Sequence, residues 1–370
     1  MTRKITVLGT RGIPDVLGGV ETHCQNLYPA IKQQFDVDIC VIARSPYVGY
    51  RKSQYKNIET LALWAPKKRS LEAIVHSVLA AFKTCFDKSA IVHVHAIGPG
   101  LVVPLLRLLG KKVVFTHHGP DYERQKWGFI ARQALLLGEK FAVNYANEVI
   151  VISEVINKLI QKKHGRMDAH LIYNGVNIPK PLDAETISKT LGRYALQPKN
   201  YLVAVGRFVE EKGLHDLITA YQQSGVSEPL VLVGDADHPS EYSMHLKQLA
   251  IKTPNVILTG FLKGDALEVV FSQAKLFIMP SYHEGLPIAL LEAMSFSLPV
   301  VVSDIPANLE VGLPAGTYFK VGNVADLAEK IKERVVLAPV DYSEFLQSYD
   351  WCDIAKKTAS VYHLLDKSIG

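Results

Sequence analysis

The chain of 370 residues is 48% hydrophobic and 21% charged, the composition of a soluble globular protein with enough material for two domains. Its four cysteines lie far apart, which excludes a disulfide framework and a zinc knuckle and fits a reducing cytosol. No apolar run reaches the roughly 18 residues of a membrane span, and the N-terminus enters a strand pattern without a visible signal peptide.

Charge is divided unevenly along the chain. Residues 1–180 hold 25 Lys and Arg against 13 Asp and Glu, a net charge of +12, whereas residues 181–370 carry −7. The imbalance predicts two domains with different partners, the N-terminal one meeting an anionic membrane surface or a phosphate-bearing substrate. The alternative is chance combined with solubility. Nucleic acid is not an expected partner, because the basic half lacks interleaved aromatic and basic residues.

The first half alternates short apolar runs with helix-length segments. Its predicted strands are residues 4–10, 37–43, 90–98, 111–119 and 147–153. After turn signals at 172–181 and 197–200 the pattern starts again. The predicted strands of the second half are residues 201–208, 229–235, 255–261, 275–281 and 298–304. This alternation predicts two doubly wound α/β domains with parallel sheets, which bind ligands beyond the carboxyl ends of their strands.

A helical pattern over residues 349–367 has an apolar stripe on one face. The stripe consists of Trp351, Ala355, Ala359, Tyr362 and Leu365. Such a stripe has to be buried, and either of the two domains could cover it.

Two glutamates flank a predicted helix start in HEGLPIALLEAM, residues 283–294. Glu284 would lie in the loop and Glu292 inside the helix, with Pro287 at its first position. Backbone N–H groups at Gly285 and Leu286 would form an anion site, and carboxylates accept hydrogen bonds from hydroxyls. The combination suits a nucleotide sugar. The alternative is an ordinary acidic first turn with one solvent-facing glutamate.

Two cations follow the first strand of the second domain in GRFVEEKG, residues 206–213. Arg207 and Lys212 could bind a diphosphate and neutralise its charge as it leaves. The alternative is a pair of ordinary surface cations. Glycines also follow the first strand of the chain in GTRGIPDVLGG, but the pattern is not GxGxxG, which argues against a dinucleotide site. Gly18 and Gly19 would let a ligand approach the backbone closely.

Histidines occur in pairs at two predicted strand ends. His93 and His95 share one face of a strand, and His117 and His118 end the next. No acidic cluster accompanies them, so no metal site is predicted, and packed or cleft-lining histidines are the expectation.

The motifs GTRGIP…GGVET, GRFVEEKG and HEGLPIALLEAM together resemble the retaining nucleotide-sugar glycosyltransferases of family four, which have the GT-B fold. The N-terminal motif resembles bacterial rhamnosyltransferases of polysaccharide assembly. The likeness extends over nearly the whole chain, including YNGV at 173–176 and the tryptophan helix. It implies an N-terminal acceptor domain at 1–178, a donor domain at 179–349, and a helix at 350–370 that returns to the N-terminal domain.

The resemblance also implies roles for individual residues. Glu284 would contact hydroxyls of the donor sugar and Glu292 would hold the ribose, while Arg207 and Lys212 would bind the diphosphate. The loop at Gly18 and Gly19 would lie against the diphosphate and the acceptor. The family places a histidine near the transferred sugar, and His118 is favoured over His117 without excluding it. His95 and Asp121 are candidates for the acceptor side. No metal and no cofactor are needed.

The expected reaction is transfer, with retention, of a sugar such as rhamnose from a dTDP-, UDP- or GDP-sugar to a glycan hydroxyl, with a lipid-linked glycan as the expected acceptor. A basic cluster followed by an apolar helix at 64–86 suggests contact with the inner membrane face, although a loop and a core helix explain it equally well. The protein would be cytoplasmic or peripheral. The alternatives are a sugar-nucleotide epimerase and a non-catalytic sugar-nucleotide-binding protein.

Overall fold

A computed structural model describes residues 3–16, 18–66, 69–87, 89–123, 128–236 and 239–367. Its contacts divide the chain into two compact units, which are described separately. Unit 1 comprises Met1–Gly175 with Ser348–Gly370, and unit 2 comprises Val176–Gln347. The sequence places these divisions after residues 178 and 349.

Unit 1 contains one sheet of eight strands. The strands are β1 (Arg3–Leu8), β2 (Val37–Arg44), β3 (Lys52–Tyr55), β4 (Ile58–Leu63), β5 (Ile91–His95), β6 (Lys112–His117), β7 (Glu148–Val151) and β8 (His170–Leu171). Their order is β3-β4-β2-β1-β5-β6-β7-β8, and all neighbours are parallel except β3 and β4. The central strands are buried along nearly their whole length, as expected of a sheet covered on both faces.

Helices connect most of these strands. They are α1 (Gly19–Gln34), α2 (Arg69–Cys85), α3 (Val103–Leu108), α4 (Phe129–Tyr145) and α5 (Glu154–His164). Helix α5 shows how local sequence sets such bounds. The Ser153 side chain accepts a hydrogen bond from the Ile156 backbone at its start, and Gly165 ends it in the left-handed conformation.

Unit 2 contains a six-stranded, fully parallel sheet. The strands are β9 (Leu202–Val205), β10 (Leu230–Val233), β11 (Val256–Gly260), β12 (Leu276–Met279), β13 (Val300–Ser303) and β14 (Tyr318–Phe319), in the order β11-β10-β9-β12-β13-β14. The helices are α6 (Ala184–Gly192), α7 (Leu214–Ser224), α8 (Glu241–Lys252), α9 (Gly264–Ser272), α10 (Ile288–Ser295), α11 (Pro306–Leu309), α12 (Val324–Arg334) and α13 (Ser343–Leu346). The prediction of two doubly wound α/β domains is confirmed.

Helix α14 (Trp351–Lys367) follows unit 2 in sequence but packs in unit 1, mainly against α1. All five residues of its predicted apolar stripe are buried. Trp351 lies directly over Gly175, where a β-carbon would collide with the indole, and its ring also contacts that of His23. The helix therefore completes the hydrophobic core of unit 1.

Candidate functional site

In unit 2 the predicted donor-binding residues lie where the strand order reverses. Strand β10 lies on one side of β9, whereas β12 lies on the other. The loops that leave the carboxyl ends of β9 and β12 border the crevice in which open α/β sheets bind ligands. Arg207 and Lys212 lie in the loop after β9, and Glu284 lies in the loop after β12.

Lys212 and Glu284 form an ion pair beside these strand ends. The distance from Lys212 Nζ to Glu284 Oε1 is 2.6 Å, and Ser281 Oγ donates to the same oxygen, also at 2.6 Å. The Lys212 and Glu284 side chains are 20% and 12% exposed, so solvent screens the pair less than a surface pair. The structure thus brings together a cation and an acid that the sequence assigned separately.

The two loops approach each other closely at Gly213. This residue has a φ of 61°, in the left-handed region, and a β-carbon there would collide with the carbonyl oxygen of Pro280. The backbone N–H of Tyr282 donates to the carbonyl of Glu211 at 2.9 Å. The glycine after Lys212 therefore lets the first loop pack against the second, close enough for Lys212 to reach Glu284.

The N-terminus of α10 lies just beyond Glu284. The sequence predicted Pro287 as the first helical residue, but Pro287 precedes the helix and Ile288 is the first. Gly285 and Leu286 therefore lie on the approach to the helix, next to the first-turn N–H groups that lack helical partners. Such a terminus favours an anion. Arg207, half-buried, follows β9 as predicted.

Glu292 lies inside α10, as predicted, and its side chain is half-buried. Burial, reinforced by the negative charge of Glu268, raises the pKa of Glu292 to about 7. A carboxyl group withdrawn from water in this way can be stabilised by the hydroxyls of a ligand, which replace the lost hydration.

In unit 1, Glu21 ties the glycine-rich loop after β1 to helix α1. Its buried carboxylate accepts a hydrogen bond from the backbone N–H of Arg11 at 2.8 Å and lies 3.4 Å from the Arg11 guanidinium. Gly18 has a φ of 142°, and a β-carbon there would collide with both side chains. Gly19 is the first residue of α1. Packing within the protein therefore explains at least Gly18 of the predicted glycine pair.

His118 lies next to two other histidines just beyond the end of β6. His95 Nδ1 and His118 Nε2 are 2.8 Å apart, and the His23 ring centroid is 5.0 Å from that of His118. Burial lowers the pKa of His23 to about 4 and lowers the pKa values of His95 and His118 well below their usual range. All three rings are therefore neutral near pH 7. His118 is half-buried, whereas His95 has no exposed surface.

His117 is held in a separate buried cluster. Its Nδ1 accepts from the backbone N–H of Gly119, and its Nε2 donates to Glu139 Oε1 at 3.1 Å. Burial alone would raise the pKa of Glu139, but hydrogen bonds from His117 and Lys163 lower it to about 2. Both ring nitrogens of His117 are thus engaged by the protein, which favours His118 as the ligand-facing histidine. Asp121 lies in the following turn and is half-buried.

The three clustered histidines are also the group that could hold a metal ion within the described ranges. One nitrogen from each of His23, His95 and His118 lies within 4.8 Å of the others. Nitrogens that share a tetrahedral zinc ion lie about 3.3 Å apart. The separation of 2.8 Å between His95 and His118 is that of a direct N–H···N hydrogen bond. The contacts therefore fit a hydrogen-bonded pair better than a metal site.

Comparison with known proteins covers both units. The family described as "Glycosyltransferase Family 4" matches residues 17–179, and the family described as "Glycosyl transferases group 1" matches residues 190–336. The chain is a glycosyltransferase with the GT-B fold.

Individual relatives agree with this assignment. The alpha-maltose-1-phosphate synthase of Mycolicibacterium smegmatis is 25% identical over 94% of this chain and 96% of its own. The O-antigen chain mannosyltransferase RfbU of Salmonella typhimurium is 26% identical over 87% of this chain and 89% of its own. The structure of Anabaena Alr3699/HepE in complex with UDP-glucose superposes with a TM-score of 0.79, at 18% identity over 98% of this chain and all of the other.

Three residues that contact or adjoin the predicted site residues of unit 1 were not predicted from the sequence. His23 and Tyr28 lie on the buried face of α1, and Glu21 lies in its first turn. His23 and Glu21 both belong to the motif GTRGIPDVLGGVETH, where two polar residues on a buried helical face were the available signal. Tyr28 carried no such signal, because a tyrosine on an apolar face is an ordinary core residue.

The raised pKa of Glu292 predicts how Glu292→Gln changes the stability of the glycosyltransferase. Below pH 4.5 this carboxyl group is protonated whether the chain is folded or unfolded, and above about pH 7 it is ionised in both states. Between these two values the unfolded chain is ionised while the folded chain still holds the proton, so wild type loses stability progressively as the pH rises from about 4.5 to about 7. We expect Glu292→Gln to be more stable than wild type at pH 8, by on the order of 2 kcal/mol, and the difference to be several times smaller at pH 5.

Thermal unfolding at pH 5 and pH 8 measures this difference. Glu329→Gln is the matched control, because Glu329 is exposed on helix α12 of the same unit. The control should follow wild type at both pH values. Equal unfolding temperatures for Glu292→Gln and wild type at pH 8 would contradict the buried environment of Glu292.

Proposed function

We propose that this glycosyltransferase moves a sugar, with retention, from a nucleoside-diphosphate donor to a hydroxyl group of a glycan in polysaccharide biosynthesis. The observation that carries the proposal is the ion pair of Lys212 and Glu284 at the ends of β9 and β12. Anion-binding and hydroxyl-binding groups meet there at the place where α/β sheets bind ligands. The name of the mannosyltransferase relative supports a role in polysaccharide assembly.

The ion pair suggests how the donor is bound. A diphosphate that reaches Lys212 competes with Glu284 for the ammonium group, so that Glu284 is released to accept hydrogen bonds from sugar hydroxyls. Arg207 and the N-terminus of α10, approached through Gly285 and Leu286, add positive charge for the diphosphate. Glu292 accepts hydrogen bonds from the ribose, His118 contacts the transferred sugar, and the loop at Gly18 and Gly19 lies against the diphosphate.

The transfer step needs no protein nucleophile in this proposal. The bond from the anomeric carbon to the diphosphate oxygen breaks while the acceptor hydroxyl forms a new bond on the same face. The hydroxyl proton goes to the leaving phosphate oxygen. Arg207 and Lys212 stabilise the negative charge that develops on the leaving diphosphate. The acceptor side would be formed by Asp121, whereas His95, being fully buried, would act through His118.

A donor screen followed by a product assay tests the function. UDP-, dTDP- and GDP-sugars, with rhamnose among the sugars, are compared by the rise in unfolding temperature, since a bound donor stabilises the folded state. UDP-glucose comes first, because the Alr3699/HepE structure contains it. The best donor is then incubated with and without a lipid-linked oligosaccharide. A new glycosidic bond with retained anomeric configuration supports the proposal.

Two results of this assay would favour the alternative functions. Isomerised sugar nucleotide in the absence of acceptor would identify an epimerase. Donor binding without turnover on the acceptors offered would favour a binding protein. In either case transfer to a glycan would be contradicted.

Membrane contact is a further part of the proposal. In the predicted membrane segment, Lys67 and Lys68 lie outside the described residues. The remainder exposes large apolar side chains, with Trp64 63%, Phe82 50% and Phe86 84% exposed. None of the helices in the described part of the chain combines the length and apolar composition needed to cross a bilayer. Exposed aromatic residues beside basic ones suit a peripheral contact with anionic lipid.

Flotation with phosphatidylserine vesicles measures this contact. We expect binding at low salt that decreases as salt screens the basic residues. Phe86→Ser should weaken the binding, whereas Val336→Ser, at an exposed apolar position of unit 2, should not. Absence of binding at low salt would remove the membrane from the proposal.

A further inference from the structure

A continuous chain of hydrogen bonds runs through the core of unit 1 to His118. Thr116 Oγ1 lies 2.7 Å from His93 Nε2, and His93 Nδ1 lies 3.1 Å from the Tyr28 hydroxyl. The same hydroxyl is hydrogen-bonded to His95 Nε2, and His95 Nδ1 lies 2.8 Å from His118 Nε2. Apart from His118, these residues are at most 1% exposed.

Each imidazole ring in this series of hydrogen bonds has one donor nitrogen and one acceptor nitrogen. Burial lowers the pKa of His93 to about 3 and the pKa values of His95 and His118 well below their usual range. A neutral imidazole carries one proton, on either Nδ1 or Nε2. The donor and acceptor of each hydrogen bond in this series therefore depend on those of the next bond. Once the donor at one end is known, all the other donors follow.

Thr116, at one end of the hydrogen-bond series, determines which atom donates there. In the described part of the chain its hydroxyl group has His93 as its hydrogen-bond partner and no other. If His93 Nε2 donated to this hydroxyl, the hydroxyl hydrogen would be buried without an acceptor, which is energetically unfavourable. The Thr116 hydroxyl is therefore the donor, and Nε2 of His93 is the acceptor.

The remaining directions follow from this end. His93 carries its proton on Nδ1, which donates to the hydroxyl oxygens of Tyr362, at 2.7 Å, and Tyr28. The Tyr362 hydroxyl is also hydrogen-bonded to Tyr28, and it donates its own hydrogen to the Tyr28 oxygen, so that no buried hydroxyl hydrogen lacks an acceptor. His93 Nδ1 therefore cannot accept the Tyr28 hydrogen, and the Tyr362 hydroxyl already donates to Tyr28. Tyr28 donates its hydrogen to the remaining partner, His95 Nε2. His95 then carries its proton on Nδ1 and donates it to His118 Nε2. His118 is left with its proton on Nδ1.

We infer that this buried chain holds His118 as the Nδ1–H tautomer, with Tyr28 and His95 as positioning residues. His118 Nδ1 makes no hydrogen bond to the residues that the structure describes, and the ring is half-buried. The free edge of the ring thus presents an N–H donor to a ligand. On the basis of the proposed function, the acceptor of the His118 Nδ1–H hydrogen bond is an oxygen of the transferred sugar.

Nitrogen-15 NMR of the full-length chain labelled at histidine tests the tautomer directly. His118→Gln identifies the His118 signals. We expect His118 Nε2 to resonate as an unprotonated nitrogen and Nδ1 as a protonated one. The opposite assignment would overturn the inference. This measurement needs no substrate, so it stands even if no sugar transfer is found, and a failure of the proposed function is thereby distinguished from a failure of the inference.

Substitutions along the chain test the positioning roles. Tyr28→Phe removes the hydroxyl that imposes the direction on His95, so we expect the second tautomer of His118 to become populated. Thr116→Val removes the fixed end with almost no change of shape and should have the same effect, which covers the case in which Tyr28→Phe does not fold. Tyr201→Phe is the matched control, since Tyr201 is a fully buried tyrosine of unit 2 whose hydroxyl donates to Val270.

Kinetics give a second result for the same variants. We expect Tyr28→Phe to lower kcat by about 2- to 10-fold, the effect of one neutral hydrogen bond, with KM for the donor little changed. Tyr201→Phe should keep wild-type kcat. If the tautomer of His118 is the same in wild type, Tyr28→Phe and Thr116→Val, the chain does not position His118.

Discussion

Replacing Lys212 or Arg207 by alanine is expected to lower kcat by about 100- to 1000-fold, the usual effect of removing one preorganised charge from a transition state. Lys212 lies beside the ends of β9 and β12, with a mostly buried side chain paired to Glu284 at 2.6 Å. In this position its charge is poorly screened, so it acts strongly on a phosphate oxygen that becomes negative as the sugar leaves. Initial rates with the donor found by the screen measure the loss.

Lys330→Ala provides the matched control for Lys212→Ala. Lys330 also forms an ion pair of 2.6 Å, with Glu333, but on helix α12 and in one helical turn. Its removal should leave kcat within about 2-fold of wild type, because Lys330 lies on α12 and not in the loops after β9 and β12 that hold the candidate site. Near-normal turnover in both Lys212→Ala and Arg207→Ala would contradict the assignment of the diphosphate to these residues.

Replacing Trp351 by alanine is expected to destabilise unit 1 by about 3–5 kcal/mol, the usual cost of removing a large buried aromatic side chain. Trp351 is 8% exposed and fills the space over Gly175 at the start of α14. The cavity would loosen the contact between α14 and α1 and remove the ring that packs against His23. Urea unfolding followed by tryptophan fluorescence measures the change in unit 1, because all tryptophan positions of the sequence fall within its residue ranges.

Trp351→Phe separates the volume of the side chain from its polar atom. The indole Nε1 is buried without a hydrogen-bond partner in the described structure. Phenylalanine keeps most of the apolar volume and removes this unpaired N–H group, so its cost should be less than about 1.5 kcal/mol. A loss as large as that of Trp351→Ala would show that the packing over Gly175 is not what holds α14 in place.

Most strands of both sheets could be predicted because buried parallel strands are continuous apolar runs. The hairpin of β3 and β4 could not, since three of the four β3 residues are exposed and lack such a run. Its turn relies on positive φ angles at Lys56 and Asn57. Strands β8 and β14 have two residues each, too short to leave a periodic signal.

The sequence was enough to predict which loops carry the candidate site residues, but not which side chains contact each other. Strand ends indicated where Arg207, Lys212 and Glu284 would lie, because ligands bind beyond the carboxyl ends of parallel strands. The pairing of Lys212 with Glu284 joins residues 72 positions apart, and no sequence period relates them. The same holds for the series of hydrogen bonds that connects Thr116 to His118. That series depends on how α1 and the β5–β6 pair face each other.

The place of α14 has a consequence for synthesis on the ribosome. Unit 2 is formed by one uninterrupted stretch, Val176–Gln347, whereas unit 1 is assembled from two stretches on either side of it. Ile354, Ala355 and Tyr362 belong to the hydrophobic core of unit 1, so that core stays incomplete until these residues, which follow unit 2, have been translated. The later unit can therefore reach its native state before the earlier one, the reverse of the usual N-terminal-first order.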